Sequence, residues 1–285
     1  MATRPLANPI NNKFRRGPMA VRRTDRAGGN MRSLIAVAAS LVLVSCASVS
    51  TGSEPRFHKI FDGKTLNGWE IKVTHHPLGA NPHGMWTAKD GVMKINFDGF
   101  EQFKGEYAHV FYKKPLKNYI LRLDYRFAGK QAPGGPGWAT RNSGVMLFAQ
   151  PPETMTLDQN YPISLENQLL GGLGKGPRTT LSVCMVEITV KVDGKPLTAH
   201  CNPNAGATSQ TFDGDQWVKL RVEVVNGVVK SYVNDQLGNT FTEPTVDKPH
   251  PWLKSQDATA QPSYFALQGE SDQVEFRNIE LAELP

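Results

Sequence analysis

The chain has 285 residues, with 32 Lys and Arg against 26 Asp and Glu and a formal net charge of +6. Eight of the cations and one acid fall within residues 1–45, so the remaining 240 residues hold 24 cations and 25 acids and are close to neutral. No basic stripe is left to meet a phosphate backbone, which sets nucleic acid aside as a partner, and that length suits one sizeable domain.

Residues 1–30 are rich in Arg, Pro and Asn and show no apolar period. They read as a long basic leader, or as residues ahead of a later start at Met19 or Met31. Arg32 is followed by the uncharged apolar stretch 34–44, which is shorter than the roughly 20 residues needed to cross a bilayer core. A basic region, a short apolar run and the small residue Ser45 are the parts of a secretory signal. The ending Leu43-Val44-Ser45-Cys46 resembles the lipobox of bacterial lipoproteins. That resemblance implies lipidation of Cys46, which becomes the new N-terminus and holds the protein to a membrane. Ala47, in place of Asp, resembles lipoproteins sent to the Gram-negative outer membrane, facing the periplasm. The plainer alternative is an ordinary signal peptide that contains a Cys. Residues 46–56 are small and polar, as a flexible tether should be.

From residue 57 onward the pattern is β. Residues 119–127 alternate with period two and put Tyr119, Leu121, Leu123, Tyr125 and Phe127 on one face. Further strands are expected over 143–148, 186–192, 217–225, 228–233 and 274–281. Asn226-Gly227 marks a hairpin, and Asp62-Gly63, Asp90-Gly91, Asp193-Gly194 and Asp213-Gly214 mark other turns. Nothing after residue 57 sustains a helical stripe. Many strands with turn signals point to an all-β sandwich or jelly roll of two antiparallel sheets.

With Cys46 used for lipid, Cys184 and Cys201 remain. An even pair in an oxidising compartment reads as a disulfide; a metal site, with His200 as neighbour, is the weaker alternative.

Several motifs then occur in a fixed order. They are Phe61-Asp62-Gly63-Lys64-Thr65-Leu66-Asn67-Gly68-Trp69, Trp86-Thr87-Ala88-Lys89-Asp90-Gly91-Val92, Leu121-Arg122-Leu123-Asp124-Tyr125-Arg126 and Arg141-Asn142-Ser143-Gly144-Val145. Leu165-Glu166-Asn167-Gln168-Leu169-Leu170, Gly214-Asp215-Gln216-Trp217, Val233-Asn234, Leu267-Gln268 and Glu275-Phe276-Arg277-Asn278-Ile279 follow. Together they resemble the 3-keto-disaccharide hydrolase domain family over residues 57–285. The resemblance implies a concanavalin-A-like jelly roll and a sugar already oxidised at C3, cleaved by hydrolysis or by elimination and hydration. One stretch departs from the family pattern: Leu181-Ser182-Val183-Cys184-Met185-Val186-Glu187 lacks the Asn before the first Cys and the "thr-pro-gly" after it that close relatives share.

A ketone at C3 acidifies the C2 proton, so elimination needs a base, an acid for the departing oxygen and a group polarising the ketone. Glu166 is the first candidate base, and Gln168, two residues on, shares its face of a strand. A solvated outer face is the alternative for both. Arg126 is the candidate to polarise the ketone, or else a surface ion pair with Asp124 or Glu280. Asn142 either bonds sugar or caps a turn. Trp138, in a Gly/Pro-rich loop, is a candidate stacking platform, and Gln268 and Glu270 are further substrate-binding candidates. His75, His76 and His83 crowd one loop and could hold a divalent metal, although their spacing matches no standard zinc pattern. No Ser-His-Asp order, P-loop or dinucleotide fingerprint is present, so the oxidation at C3 would belong to another protein. The readings are an enzyme acting on 3-keto-glycosides, a non-catalytic carbohydrate-binding module, and an envelope lipoprotein without ligand.

Overall fold

The structure is a computed structural model that describes residues 54–202 and 210–285; the expected leader, Cys46 and the first part of the expected tether lie outside these residues. The described chain runs through β1 (His58–Lys59), β2 (Trp69–Val73), β3 (Trp86–Lys89), β4 (Val92–Ile95), β5 (Ala108–Tyr112) and β6 (Tyr119–Phe127). It continues with β7 (Asn142–Ala149), β8 (Ser164–Leu170), β9 (Ser182–Val186), β10 (Ile188–Val192), β11 (Lys195–Pro196) and β12 (Cys201–Asn202). The last strands are β13 (Val218–Val225), β14 (Val228–Val233), β15 (Gln236–Val246), β16 (Tyr264–Gly269) and β17 (Val274–Glu283). Three short 3₁₀ turns are the only helical segments among the described residues.

The strands form two antiparallel sheets. One has ten strands in the order β11-β10-β15-β14-β13-β6-β17-β4-β3, with β1 paired to β17; the other has seven, in the order β12-β9-β8-β7-β16-β5-β2. Sequence neighbours are often distant in the sheets, and the chain passes repeatedly from one sheet to the other. This is a concanavalin-A-like jelly-roll sandwich. Asp90-Gly91 and Asn226-Gly227 close their hairpins with positive φ at both central residues (52° and 82°, 49° and 76°). That geometry matches the twist of the flanking strands and selects an Asx-Gly pair.

The core lies between the sheets. Tyr119, Leu121, Leu123, Tyr125 and Phe127 of β6 point into it, and Val218, Leu220, Val222 and Val224 of β13 join them on the same face. Removing each such side chain from water contributes on the order of 1.5–3 kcal/mol. The opposite face of β6 carries Arg122, Asp124 and Arg126 toward solvent. The seven-stranded sheet differs, because every residue of β7 is buried on both faces. Part of its outer face is a second apolar cluster of Phe111, Met146, Ala149, Met155 and Ala266. The rest of that face is polar, and the candidate site lies there.

The Cys184–Cys201 disulfide is formed, between directly opposed residues of β9 and β12. It closes a loop over a separation of 17 residues, and a loop of that size contributes on the order of 3 kcal/mol.

Candidate functional site

Asn167 fixes the direction of its neighbours. Its amide donates to Ser231 Oγ on β14 at 3.0 Å, so it points into the sandwich. Alternation then sends Glu166 and Gln168 to the outer face of the seven-stranded sheet. On that face Glu166 pairs across to Met146 and Cys184, and Gln168 to Gly144 and Ser182. Continuing the Leu267–Val145 register brings Gln268 beside Gly144, and His109 pairs with Gln268 from the other side. Glu270 follows β16 directly.

These residues surround a cavity of about 450 Å³ lined by Trp138, Asn142, Tyr161, Glu166, Gln168, Val186, His200, Cys201 and Glu270. Its volume lies within the roughly 300–1,000 Å³ typical of small-molecule sites. Unpaired polar atoms crowd its surroundings. Asn142 Oδ1, Glu166 Oε1, Glu270 Oε2 and both amide atoms of Gln268 are buried without a hydrogen-bond partner. Buried polar groups are almost always paired, so a cluster of orphans beside one cavity makes it the candidate place for a ligand.

The two carboxyls are strongly perturbed. Burial pushes Glu166 well above the usual carboxylate range, and the charge of Glu270 adds to the rise. The amide of Gln268 works the other way, although it meets Glu166 in no hydrogen bond of good geometry. Burial likewise pushes Glu270 up to about 8, partly offset by the Tyr161 hydroxyl. Two coupled carboxyls in one dry site hold on to a proton at neutral pH. Tyr161 is kept firmly protonated by its own burial and by the charge of Glu270. His109 is fully buried, pushed down to about 3 by burial and by Lys72, and so is neutral. The Lys72 ammonium is itself held by the carbonyls of Val73, His76 and Leu157 at 3.0–3.2 Å.

The frame around the cavity is tightly held. Asp272 Oδ2 accepts the backbone N–H of Arg141 at 2.6 Å, tying the residue before Asn142 to the segment after Glu270. Between Glu270 and Asp272, Ser271 adopts φ 93°, a region that costs an ordinary residue about 1–3 kcal/mol and is found mostly at functional sites. Arg178 Nη1 donates to the carbonyls of Thr140 (2.6 Å) and Gly171 (2.8 Å) and steadies the turn that carries Trp138. Trp138 is 55% exposed, and its ring lies 15° from parallel to Tyr107 with centroids 6.3 Å apart. Tyr107 in turn packs on Tyr161 at 4.9 Å. Trp138 thus presents an aromatic surface at the mouth of the cavity.

Of the residues singled out from sequence, Glu166, Gln168, Asn142, Trp138 and Glu270 come together around this cavity, while Gln268 is fully buried beside Glu166 and does not line it. Arg126 does not, which corrects its expected role as the group polarising the ketone. It lies on β6 in the other sheet, on the solvent face, where it donates to Glu275 at 2.7 Å and covers the Trp217 ring at 4.5 Å. Its strand gives one face to the core, so the alternating charged residues face away from everything the sandwich encloses. The ion-pair alternative describes it better, with Glu275 as partner in place of Asp124 or Glu280. The loop histidines are not gathered either. His75 bonds to Asp158 at 2.8 Å, and His83 packs edge-on against Phe100 at 4.7 Å. Among the described residues no three His, Cys, Asp or Glu side chains lie close enough to hold a metal ion. Sequence reasoning misses Tyr161 and His109, and reads His200 only as the metal partner in the alternative to the disulfide. Tyr161, an aromatic in the polar run before the Glu166 strand, carried a usable signal; buried His109 carried none.

No functionally curated protein matches the chain. Among solved structures it is similar to a Parabacteroides distasonis protein provisionally named a glycosyl hydrolase, at 17% identity and a TM-score of 0.50, over 80% of this chain and 94% of that one. A second such protein from the same organism gives 19% identity and a TM-score of 0.45, over 80% and 100%. The carbohydrate binding module CBM66 from Bacillus subtilis gives 10% and 0.43, over 76% and 96%. At these identities the likeness concerns the fold alone. The sequence profile of the 3-keto-alpha-glucoside-1,2-lyase-like domain matches residues 56–282, most of the chain. The chain therefore belongs to the 3-keto-alpha-glucoside-1,2-lyase-like domain family, and its domain is a carbohydrate-related one.

Proposed function

We propose that this protein cleaves the C1–O bond of 3-keto-glycosides by elimination followed by hydration. The observation that carries the reading is the pair Glu166 and Glu270, buried together in the wall of one cavity, both raised, and each with an oxygen that has no hydrogen-bond partner. Before substrate binds, the pair favours the proton on Glu166 and the charge on Glu270. The leaving oxygen of bound substrate then draws the shared proton to Glu270, which leaves Glu166 as the carboxylate.

In this reading Glu166 removes the C2 proton, and the C–H electrons form an enolate with the C3 oxygen. The amide of Gln268, free to donate, receives that developing charge in place of Arg126. As the ketone re-forms, a C1=C2 double bond appears and the C1–O bond breaks. Glu270 supplies the proton to the leaving oxygen; Tyr161 beside it both donates and accepts, and so can help deliver that proton. In the second half Glu270 takes a proton from water, the hydroxide adds to C1, and Glu166 returns its proton to C2. Asn142 and Gln168 hold hydroxyls, and Trp138 stacks on a sugar face.

The chemistry is assigned to an exported protein anchored by lipid on Cys46 and facing the periplasm from the outer membrane, on the strength of the sequence run ending in Cys46 alone. Labelling cells with a palmitate analogue tests that part: wild type should take up label and Cys46→Ala should not.

The enzymatic reading is tested with p-nitrophenyl and methyl 3-keto-α-glucosides. Wild type should release both aglycones, and running the reaction in D2O should place deuterium at C2 of the product. Glu166→Gln should lose about 10²–10⁴-fold on both substrates. Glu270→Gln should lose most of its rate on the methyl substrate and far less on p-nitrophenyl, whose leaving group needs no acid. Binding of 3-keto sugars without turnover would instead favour a carbohydrate-binding module.

A further inference from the structure

Two buried polar groups beside the candidate site, Lys72 and His109, take no part in the steps above. Alternation places Lys72, His109 and Gln268 on the outer face of the seven-stranded sheet, because their neighbours Val73, Val110 and Leu267 belong to the core. Their strands β2, β5 and β16 are adjacent, and the residues are directly opposed in register, Lys72 to His109 and His109 to Gln268. The three make one row that reaches Glu166 through Gln268. Their exposures are 2%, 0% and 0%. Both ring nitrogens of His109 lack a hydrogen-bond partner, and so do both amide atoms of Gln268. Opposed residues hold their Cβ atoms roughly 4.5–5.5 Å apart, which brings an imidazole and an amide within reach of each other. Buried polar groups are almost always paired, and here each orphan has the other as its nearest complement.

We propose that His109 is a positioning residue: its one ring N–H donates to Gln268 Oε1, and this turns the Gln268 amide nitrogen toward Glu166. The role rests on the elimination reading and adds a residue to it. Lys72 sets the direction. Its Nζ donates to the carbonyls of Val73, His76 and Leu157 at 3.0–3.2 Å, and three donated protons require the charged ammonium. A cation on the β2 side favours the tautomer whose bare nitrogen faces it, so the N–H lies on the β16 side, toward Gln268. Burial and the same cation push His109 down to about 3, so the ring is neutral and has a single N–H to give. The Tyr161 ring covers it edge-on at 6.0 Å. An amide held by its oxygen has only N–H to offer Glu166, and Gln268 does pull Glu166 downward against its burial. A flipped amide would aim its oxygen at the carboxylate and repel it. The row thus favours Glu166 as the carboxylate, the form the base needs once the shared proton moves to Glu270.

The test has a kinetic arm and a spectroscopic arm. On p-nitrophenyl 3-keto-α-glucoside, His109→Phe should lose about 10–10²-fold in kcat with KM unchanged, since His109 meets Gln268 and not the substrate. The acid limb of its kcat/KM profile should move up by about one pH unit, because Glu166 loses support as a carboxylate. The charged and titratable groups around the ring are Lys72 on β2, Tyr161 ahead of β8 and the Glu166–Glu270 pair beyond Gln268, with Asp158 acting on Lys72. His109→Phe leaves all of them in place. His109→Gln keeps an N–H donor and should restore most of the rate and the wild-type limb. Full activity in His109→Phe, a loss with the limb unmoved, or no rescue by His109→Gln overturns the proposal. The spectroscopic arm needs no substrate. Of the seven histidines only His109 is fully buried, so its ¹⁵N signals should stay fixed between about pH 5 and pH 8 and show one bare nitrogen and one hydrogen-bonded N–H. Gln268→Leu should shift that N–H signal. A ring that titrates, a mixture of tautomers, or an N–H indifferent to Gln268→Leu overturns the proposal. If no 3-keto substrate is turned over, the elimination reading falls by itself, and the contact of His109 with Gln268 is decided by these signals.

Discussion

The Glu166 side chain lies across Gly144: a methyl group added at that glycine would stand 2.6 Å from both Cγ and Oε1 of the carboxylate. The φ of Gly144 is not positive, so the backbone itself would accept a side chain. What the glycine supplies is room for the carboxyl. Gly144→Ala should fold with a melting temperature near wild type and lose about 10²-fold in turnover, because it displaces the proposed base by an ångström or so. Full activity in that variant would remove Glu166 from the chemistry.

The paired carboxyls link stability to pH. Both are raised in the folded protein, so the native state favours their protonated forms. The stability this contributes is complete below the ordinary value of 4.5 and is lost as pH rises through about 8. Glu270→Gln abolishes the Glu270 titration and weakens the coupling at Glu166. Between about pH 5 and pH 8, wild type should therefore lose stability relative to Glu270→Gln. Urea melts across that range would show parallel profiles if the carboxyls were not perturbed.

Arg126 should be dispensable for catalysis. Its contacts are a cross-strand pair with Glu275 and the face of Trp217, all on the solvent side of the ten-stranded sheet. Arg126→Ala should lower stability by about 1 kcal/mol and leave turnover of 3-keto-glycosides unchanged. A large loss in kcat would restore it to the site.

Asn167 should matter for folding. It donates to Ser231 Oγ at 3.0 Å and accepts from Asn239 Nδ2 at 3.3 Å, and Asn239 also donates to the Leu181 carbonyl at 2.6 Å. This polar bridge joins the two sheets inside an apolar core. Asn167→Ala strands two buried partners and should cost about 2–3 kcal/mol, read as a drop in urea midpoint with an unchanged slope. No change in midpoint would mean that the bridge is idle.

The fold was legible where a strand has one dry and one wet face. In β6 and β13 the alternation names the core side correctly, residue by residue. It fails in β7 and β8, because the loops bearing Trp138 and Tyr161 cover the second face and bury it as well. From pattern alone, Glu166 and Gln168 are indistinguishable from a solvated face, and only contacts distant in sequence bury Glu166 and leave Gln168 half-buried. The same limit explains Arg126: alternation put it opposite the core, but nothing local says which sheet bounds the cavity. Asn167 shows the reverse, a polar residue in the core that pairing across the sandwich alone can satisfy. Glu270 stands just beyond a strand end, where periodicity has no hold, and Ser271 next to it takes a backbone shape that composition does not announce.

The Cys184–Cys201 bridge does more than close a loop. Cys184 is the cross-strand partner of Glu166, and Cys201 forms part of the cavity wall. A preparation made in a reducing cytosol would carry the carboxyl pair yet lack the covalent tie of β12 to β9, and with it one side of the binding chamber. Oxidation state is thus a hidden variable in any assay of this protein, and a batch without activity should be judged by its thiol content before its substrate is blamed.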